Sequence, residues 1–168
     1  DKVSLSTVDP LALRRGPIAV VPQNPIMFRG SVRWNLDPEN HHNDETLLKA
    51  LRRVNLNIQD DELDSDAPVH WSVGQHQRLC LARSLLRNPV LLCLDEVTAS
   101  LNKDATVELM EILHSILKQY TVLVVSHQEE VLNFVDRTIH MQNGRITSVS
   151  STHGIHKFYH SSEALHEF

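Results

Sequence analysis

Two short groups of residues in this chain could handle a phosphate and a divalent cation. The first is Ser72-Val73-Gly74-Gln75, which precedes a helix-length stretch. A turn of this composition at the start of a helix offers backbone N–H groups and the positive end of the helix dipole to a phosphate. The second group is Asp95-Glu96, directly after the apolar run Val90–Leu94. A buried strand that ends in two carboxylates can hold Mg²⁺ with one and polarise a water molecule with the other.

Both groups need regular elements to position them, and the sequence predicts these elements. Ser72 and Gln75 form a capping-box pattern for a helix over Gln75–Arg87, and Pro89 then leads into the strand Val90–Leu94. Apolar residues at helical spacing predict further helices after Asn43-Asp44, where the helix carries Leu47, Leu48, Leu51 and Val54, and over Asp104–Leu117. The remaining predicted elements are strands Ile18–Val21 and Val122–Val125, a short helix around Glu129–Phe134, and a hairpin of Thr138–Met141 and Arg145–Val149 around Asn143-Gly144.

The alternation of strands and helices indicates an α/β fold. Val90–Leu94 and Val122–Val125 are apolar throughout, which is typical of parallel strands covered by helices on both faces. Residues 57–69 are rich in aspartate and carry a proline, so we expect a loop there. Beyond Ser150 the chain is polar and rich in histidine, and we expect a tail.

The order and spacing of these groups resemble the ATP-binding cassette (ABC) ATPases. Trp71–Gln75 resembles their signature loop, and the strand ending in Asp95-Glu96 resembles their Walker B strand. Val20-Val21-Pro22-Gln23 resembles the Q-loop, and Val124-Val125-Ser126-His127 resembles the switch-histidine loop. Asn24–Pro38 resembles the exporter branch, in particular the second nucleotide-binding domain of the C subfamily, the multidrug-resistance-associated type.

The resemblance implies a partial P-loop NTPase-like ABC ATPase fold. It would have a parallel-sheet core and a helical subdomain carrying the signature loop. We expect the partial ATP-binding domain to cover residues 1–150, with the helical subdomain at about residues 35–87, and the His-rich tail to cover residues 151–168.

The resemblance also implies roles for individual residues, with ATP and Mg²⁺ as cofactors. Asp95 would bind Mg²⁺, Glu96 would act as the general base on the attacking water, and His127 would bond the γ-phosphate. Gln23 would reach the metal or the attacking water and couple the site to a membrane domain. The residues expected to contact a nucleotide held by a partner domain are Ser72, Val73, Gly74, Gln75 and the D-loop residue Asn102.

The sequence departs from the family pattern at several places. It contains no Gly-x-x-x-x-Gly-Lys-Ser/Thr, because none of its five glycines precedes a lysine. Such a loop cradles the phosphates, so we interpret the chain as a C-terminal portion of a cassette that is inactive alone. Trp71 stands where an aliphatic residue or Phe is usual, Asn102 where Asp is usual, and residues 64–70 replace the usual glycine pair and glutamate.

Composition excludes some classes of function. The net charge of −5 offers no basic footprint for nucleic acid, and no apolar run approaches the ~20 residues of a membrane span. Cys80 and Cys93 lie in apolar surroundings and are expected to be core residues. His153, His156 and His160 could form a metal site on a helix, but no carboxylate or cysteine pattern supports them and we favour a solvated tail.

Three classes of function remain open. The first is the ATPase cassette of a C-subfamily exporter. It would lie on the cytoplasmic side of a membrane and pair with a second nucleotide-binding domain and with transmembrane domains. The second is a non-catalytic ABC-derived fragment that acts by pairing with another nucleotide-binding domain. The third is a non-transport ABC ATPase of the DNA-repair or chromosome-structure kind, which the exporter-like segment Asn24–Pro38 disfavours.

Overall fold

The computed structural model describes residues 7–66, 71–117 and 119–151. The chain forms two compact units, which divide between Gln128 and Glu129. Five helices and five strands are described: α1 Pro10–Arg15, β1 Ile18–Val21, α2 Val32–Leu36, α3 Asp44–Arg53, α4 Val73–Leu86, β2 Leu91–Asp95, α5 Lys103–Leu117, β3 Thr121–Val125, β4 Arg137–Gln142 and β5 Arg145–Ser151. Two 3₁₀ turns lie at Asp60–Glu62 and Glu129–Phe134.

The first unit is built on a parallel three-stranded sheet in the order β1-β2-β3. In the register, Val21 pairs with Leu94, and Leu94 pairs with Val124. Strands β1, β2 and β3 are joined by crossovers that contain helices, as parallel pairing requires. The predicted α/β class with a parallel-sheet core is confirmed.

Helices α4 and α5 cover one face of this sheet. Ala19, Val21, Leu92 and Leu94 point to that face and are buried. A small apolar cavity between the sheet and the helices is lined by residues from all three layers, namely Val21, Gln77, Leu81, Leu94, Val97, Leu109 and Leu113. Burial of these aliphatic side chains is the main stabilising contribution to this layer.

The opposite face of the sheet is open to solvent. Val20, Leu123 and Val125 point there, with exposed fractions of 56%, 50% and 51%. Cys93 lies between Val20 and Leu123 in the register and is half-buried. Among the described residues, the helices therefore lie on one face of the sheet, whereas the apolar strands predicted helices on both. The same exposure shows that Cys93 is only partly a core residue, while Cys80 is buried as predicted.

Helices α1 and α2 were not predicted, because they are too short for a hydrophobic period to show. Helix α1 has six residues, with Asp9 capping its first turn and Pro10 in that turn. Helix α2 has five residues, and the side chain of Ser31 accepts a hydrogen bond from the amide of Trp34. Local caps rather than periodicity therefore define both helices.

The acidic loop before α4 is fastened to α2. The amides of Val32 and Arg33 donate to the carbonyls of Ser65 and Leu63 at 3.1 and 2.8 Å. The guanidinium of Arg33 also forms ion pairs with Asp44 and Asp64, each at 2.7 Å. The loop thus contains a 3₁₀ turn and a fixed attachment, where the composition had predicted only a loop.

The described part of the second unit is a 3₁₀ turn followed by the antiparallel hairpin β4-β5. Asn143 and Gly144 form its turn with φ of 51° and 73°. Positive φ at both positions is what a type I′ turn requires, so this prediction is confirmed. The tail residues after Ser151, including the three histidines of the metal hypothesis, lie outside the described residues.

Candidate functional site

The N-terminus of α4 has a complete capping box. The amide of Gln75 donates to Ser72 Oγ at 3.2 Å, and the amide of Ser72 donates to Gln75 Oε1 at 2.9 Å. A helix leaves its first four amides without intrahelical acceptors, and the box satisfies two of them. The amides of Val73 and Gly74 remain at the end of the helix, where Val73 is exposed.

A groove of about 370 Å³ opens beside this helix terminus. Its other wall is the turn before α5, and the two walls are close enough that a Cβ added at Gly74 would lie 3.6 Å from Leu101 Cδ2. An ion pair of 2.7 Å between Arg78 of α4 and Glu108 of α5 joins the two helices within the groove. The full lining is Ser72, Val73, Gly74, Gln75, Arg78, Ser100, Leu101, Asn102, Ala105 and Glu108.

Two departures from the family pattern have a clear structural setting. Asn102 Oδ1 accepts a hydrogen bond from the amide of Ala105 at 2.9 Å, so the asparagine caps α5. The ring of Trp71 lies 6.2 Å from that of His76, so it packs against the first turn of α4. The groove therefore brings together all five residues expected to contact a partner's nucleotide.

The carboxylates of Asp95 and Glu96 lie at the carboxyl edge of the sheet. Asp95 pairs with Val125 in the register and its side chain is exposed. The amide of Glu96 donates to the carbonyl of Val125 at 2.9 Å, and Glu96 has a φ of 45°. A left-handed conformation is uncommon for a residue with a side chain, and such backbone strain is concentrated at functional sites.

The switch-histidine loop lies next to Glu96 because β2 and β3 are parallel neighbours that end together. His127 Nδ1 is 3.3 Å from Glu96 Oε1. This distance allows an ion pair when the imidazole is charged. Two residues that are 31 positions apart in the sequence, and were predicted separately, thus form one pair.

Gln128 was not predicted as a site residue, yet it positions the loop that carries His127. Its side-chain Nε2 donates to the carbonyl of Thr98 at 3.1 Å, and its backbone amide donates to Ser126 Oγ at 3.1 Å. Thr98 belongs to the turn that follows Glu96. Gln128 therefore fastens the histidine loop to the carboxylate loop.

Gln23 leaves β1 at the same edge of the sheet, since Val21 pairs with Leu94 just before Asp95. Its side chain is exposed, and its carbonyl accepts a hydrogen bond from Gln77 Nε2 at 2.6 Å. In the described part of the chain, no hydrogen bond joins the Gln23 side chain to Asp95 or Glu96. The structure therefore places Gln23 near the carboxylates by topology only.

The family can now be assigned. A family model described as "ABC transporter" matches residues 1–99, which is more than half of the chain. This chain belongs to the ABC transporter family. It is 34% identical over 168 residues to mouse ATP-binding cassette sub-family C member 10, covering 96% of this chain and 11% of that protein.

Other relatives agree with this assignment. Human ATP-binding cassette sub-family C member 2 is 33% identical over 144 residues, covering 82% of this chain and 9% of that protein. A pleiotropic ABC efflux transporter of multiple drugs from Candida glabrata is 32% identical over 170 residues, covering 87% of this chain and 10% of that protein. The predicted similarity to C-subfamily transporters is confirmed, and the chain spans about a tenth of the length of these curated relatives.

The family implies a nucleotide-binding domain. The resemblance predicts contact with nucleotide at two places. They are the groove and the Glu96–His127 pair. In the described ranges, no helix is long and apolar enough to cross a membrane.

Proposed function

We propose that this chain is part of the ATP-binding cassette of a C-subfamily exporter, in which ATP binding and hydrolysis drive transmembrane transport. The observation that carries the proposal is the 3.3 Å contact between His127 and Glu96 at the carboxyl edge of a parallel sheet. A carboxylate beside an imidazole at this position can accept a proton from water while the imidazole donates to a phosphate oxygen.

The residues of the groove fit a phosphate. The capping box leaves two amides of α4, those of Val73 and Gly74, available to an anion at the positive end of a 14-residue helix. Gly74 has no side chain to obstruct a close approach. We propose that the groove contacts the terminal phosphate of an ATP molecule held by a partner cassette.

The carboxylates at the sheet edge fit Mg²⁺ and an attacking water. Asp95 would hold the metal, whose positive charge would offset the negative charge of the phosphates. Glu96 would accept the proton of the water. When both ring nitrogens of His127 carry protons, Nδ1 faces Glu96 and Nε2, on the other side of the ring, can donate to a phosphate oxygen. Gln23 would contact the metal or the water from the neighbouring strand.

These residues would act on a nucleotide whose phosphate cradle lies outside the 168 residues. We propose that the chain works by pairing, with one nucleotide-binding domain closing over ATP held by another. An alternative is a non-catalytic ABC-derived fragment that associates in the same way without hydrolysis. The intact groove supports both, whereas the Glu96–His127 pair favours the catalytic cassette.

Transmembrane domains are the second proposed partner. Ile26, Phe28 and Trp34 follow the Q-loop and expose about half of their surface, with fractions of 55%, 48% and 49%. The side-chain amide of Asn35 bonds both the amide and the carbonyl of Phe28, at 2.8 and 2.9 Å, so the main chain at Phe28 is held in place. Exposed apolar side chains that follow Gln23 in the sequence suit contact with another protein.

The test is ATP-dependent association with an intact nucleotide-binding domain from the same source, made deficient in hydrolysis. Association should increase with ATP, and Ser72→Arg or Gly74→Asp should abolish the increase by blocking the phosphate. Gly74→Ala is the matched control, because its Cβ would meet Leu101 at an ordinary contact distance of 3.6 Å. ATP-dependent association that survives Ser72→Arg and Gly74→Asp would refute a role for the groove.

A further inference from the structure

Helix α4 holds the loop Gln23–Phe28, which begins at the glutamine of the Q-loop, through main-chain groups of the loop. Three side chains on one side of the helix, about one turn apart, donate to loop carbonyls. Gln77 Nε2 is 2.6 Å from the carbonyl of Gln23, and Arg83 Nη1 is 3.0 Å from that of Ile26. Between them, the Cys80 thiol makes a weaker contact of 3.7 Å with the carbonyl of Ile26.

The far end of the loop is anchored independently of Gln77. Arg83 Nε donates to the carbonyl of Asn35, and Asn35 in turn bonds both main-chain groups of Phe28. The guanidinium also lies over the ring of Phe28, 5.2 Å from its centre. Burial lowers the pKa of Arg83, and its hydrogen bonds to loop carbonyls offset that desolvation. The start of the loop therefore depends on Gln77, and its end depends on Arg83 and Asn35.

Gln77 is a poor choice for stability alone. It is 2% exposed, and among the described residues its Oε1 has no hydrogen-bond partner. An unpaired buried amide oxygen destabilises a fold. The surroundings are aliphatic, with Leu81, Leu94 and Leu109 among the neighbours, so leucine would suit packing better. What glutamine supplies and leucine lacks is the donor to Gln23.

We propose that Gln77 is a positioning residue that ties Gln23, the first residue of the loop Gln23–Phe28, to the helix capped by Ser72. Gln77 lies five residues after Ser72, within the second turn of α4. A shift of the groove end of this helix would therefore be carried to the Gln23 main chain by one short hydrogen bond. The tie would link contact at Ser72 to the placement of Gln23. This consequence, unlike the tie itself, rests on the proposed function.

The tie itself is tested without nucleotide, by ¹⁵N relaxation of the backbone amides in the 168-residue chain. In Gln77→Leu, the order parameters of Gln23 and Asn24, which flank the freed carbonyl, should fall from the rigid value of about 0.85 to below about 0.6. Order parameters in α3 and α5 should stay unchanged. Ser84→Ala is the matched control, because Ser84 is buried on the same helix and, among the described residues, bonds within it, to the carbonyl of Cys80 at 2.9 Å.

Gln77→Met is a second variant that removes the donor while keeping an unbranched side chain, in case leucine does not fold. Unchanged order parameters at Gln23 and Asn24 in the folded variant would overturn the proposal. An equal fall throughout α4 and α5 would also overturn it, because that pattern indicates general destabilisation.

The link to Ser72 is tested in the ATP-dependent complex described above. Closure of the partner over Ser72 should shift the amide resonances of Gln23 and Asn24 in the wild-type chain and in Ser84→Ala. In Gln77→Leu the complex should still form without that shift; a retained shift would overturn the link. If no ATP-dependent complex forms while the nucleotide-free result holds, the proposed function fails and the tie stands.

Discussion

The open face of the β1-β2-β3 sheet predicts that the chain associates with itself. Val20, Leu123 and Val125 each leave about half of their surface in water, with fractions of 56%, 50% and 51%. Burying a whole valine or leucine side chain contributes about 1.5–3 kcal/mol, so covering the exposed half contributes about 0.8–1.5 kcal/mol. Two such faces in contact would gain about 5–9 kcal/mol from six side chains. This is comparable with the cost of association, so we expect weak, concentration-dependent dimers.

The variant Leu123→Lys removes one of the three apolar contributions from each face. The loss is about 1.5–3 kcal/mol per dimer. The dissociation constant should therefore rise by between about ten-fold and a hundred-fold, since each 1.4 kcal/mol is a factor of ten. The change should affect folding little, because the side chain is already half exposed.

Sedimentation equilibrium of the wild-type chain and the variant measures this change directly. Ile26→Lys is the matched control, because Ile26 is equally exposed, at 55%, but lies in the loop held by α4 rather than on the open face. Equal dissociation constants for wild type and Leu123→Lys would refute the argument. An equal effect of Ile26→Lys would also refute it, since association would then depend on general charge or on another surface.

Three further outcomes are expected. The isolated chain should show no steady ATP hydrolysis, because the proposed role of Glu96 requires a phosphate that these residues cannot cradle; turnover that Glu96→Gln abolishes would contradict this. Hydrogen bonds from Arg33 hold the pKa values of Asp44 and Asp64 below their usual range. A lowered carboxyl pKa stabilises the fold above about pH 4 and loses that effect as the pH falls, so the difference in urea midpoint between wild type and Arg33→Met should shrink from pH 6 to pH 3. Leu92→Ala should lower the free energy of unfolding by about 2–5 kcal/mol in urea titrations, because Leu92 is 0% exposed at the centre of the sheet.

Local chemical signals were sufficient to predict the helix terminus and the hairpin. The capping box of Ser72 and Gln75 fixes the start of α4, and Asn143-Gly144 fixes the turn of β4-β5. Each depends on residues within four positions of one another, so neither needs knowledge of the tertiary fold. The closeness of Glu96 and His127 could also be predicted once their two strands are taken as parallel neighbours, because such strands bring their carboxyl ends together.

The attachments of the loops could not be predicted, because they join side chains to main-chain groups far away in the sequence. Gln77 reaches the carbonyl of Gln23 across 54 positions, and Gln128 reaches that of Thr98 across 30. A carbonyl acceptor is the same for every residue type, so the sequence carries no mark of the partner.

One short turn connects the sheet edge to the groove. It starts at Glu96, whose carbonyl accepts from the amide of Ala99 at 2.9 Å, and the carbonyl of Thr98 accepts from the amide of Leu101 at the same distance. Gln128 bonds that same Thr98 carbonyl from the histidine loop. Leu101 then lines the groove beside α4. Glu96 does not line the groove, but a ligand that displaced Leu101 would act on a turn bonded both to Glu96 and to the loop of its histidine partner. Hydrogen bonds of this turn thus connect the lining of the groove to the proposed general base.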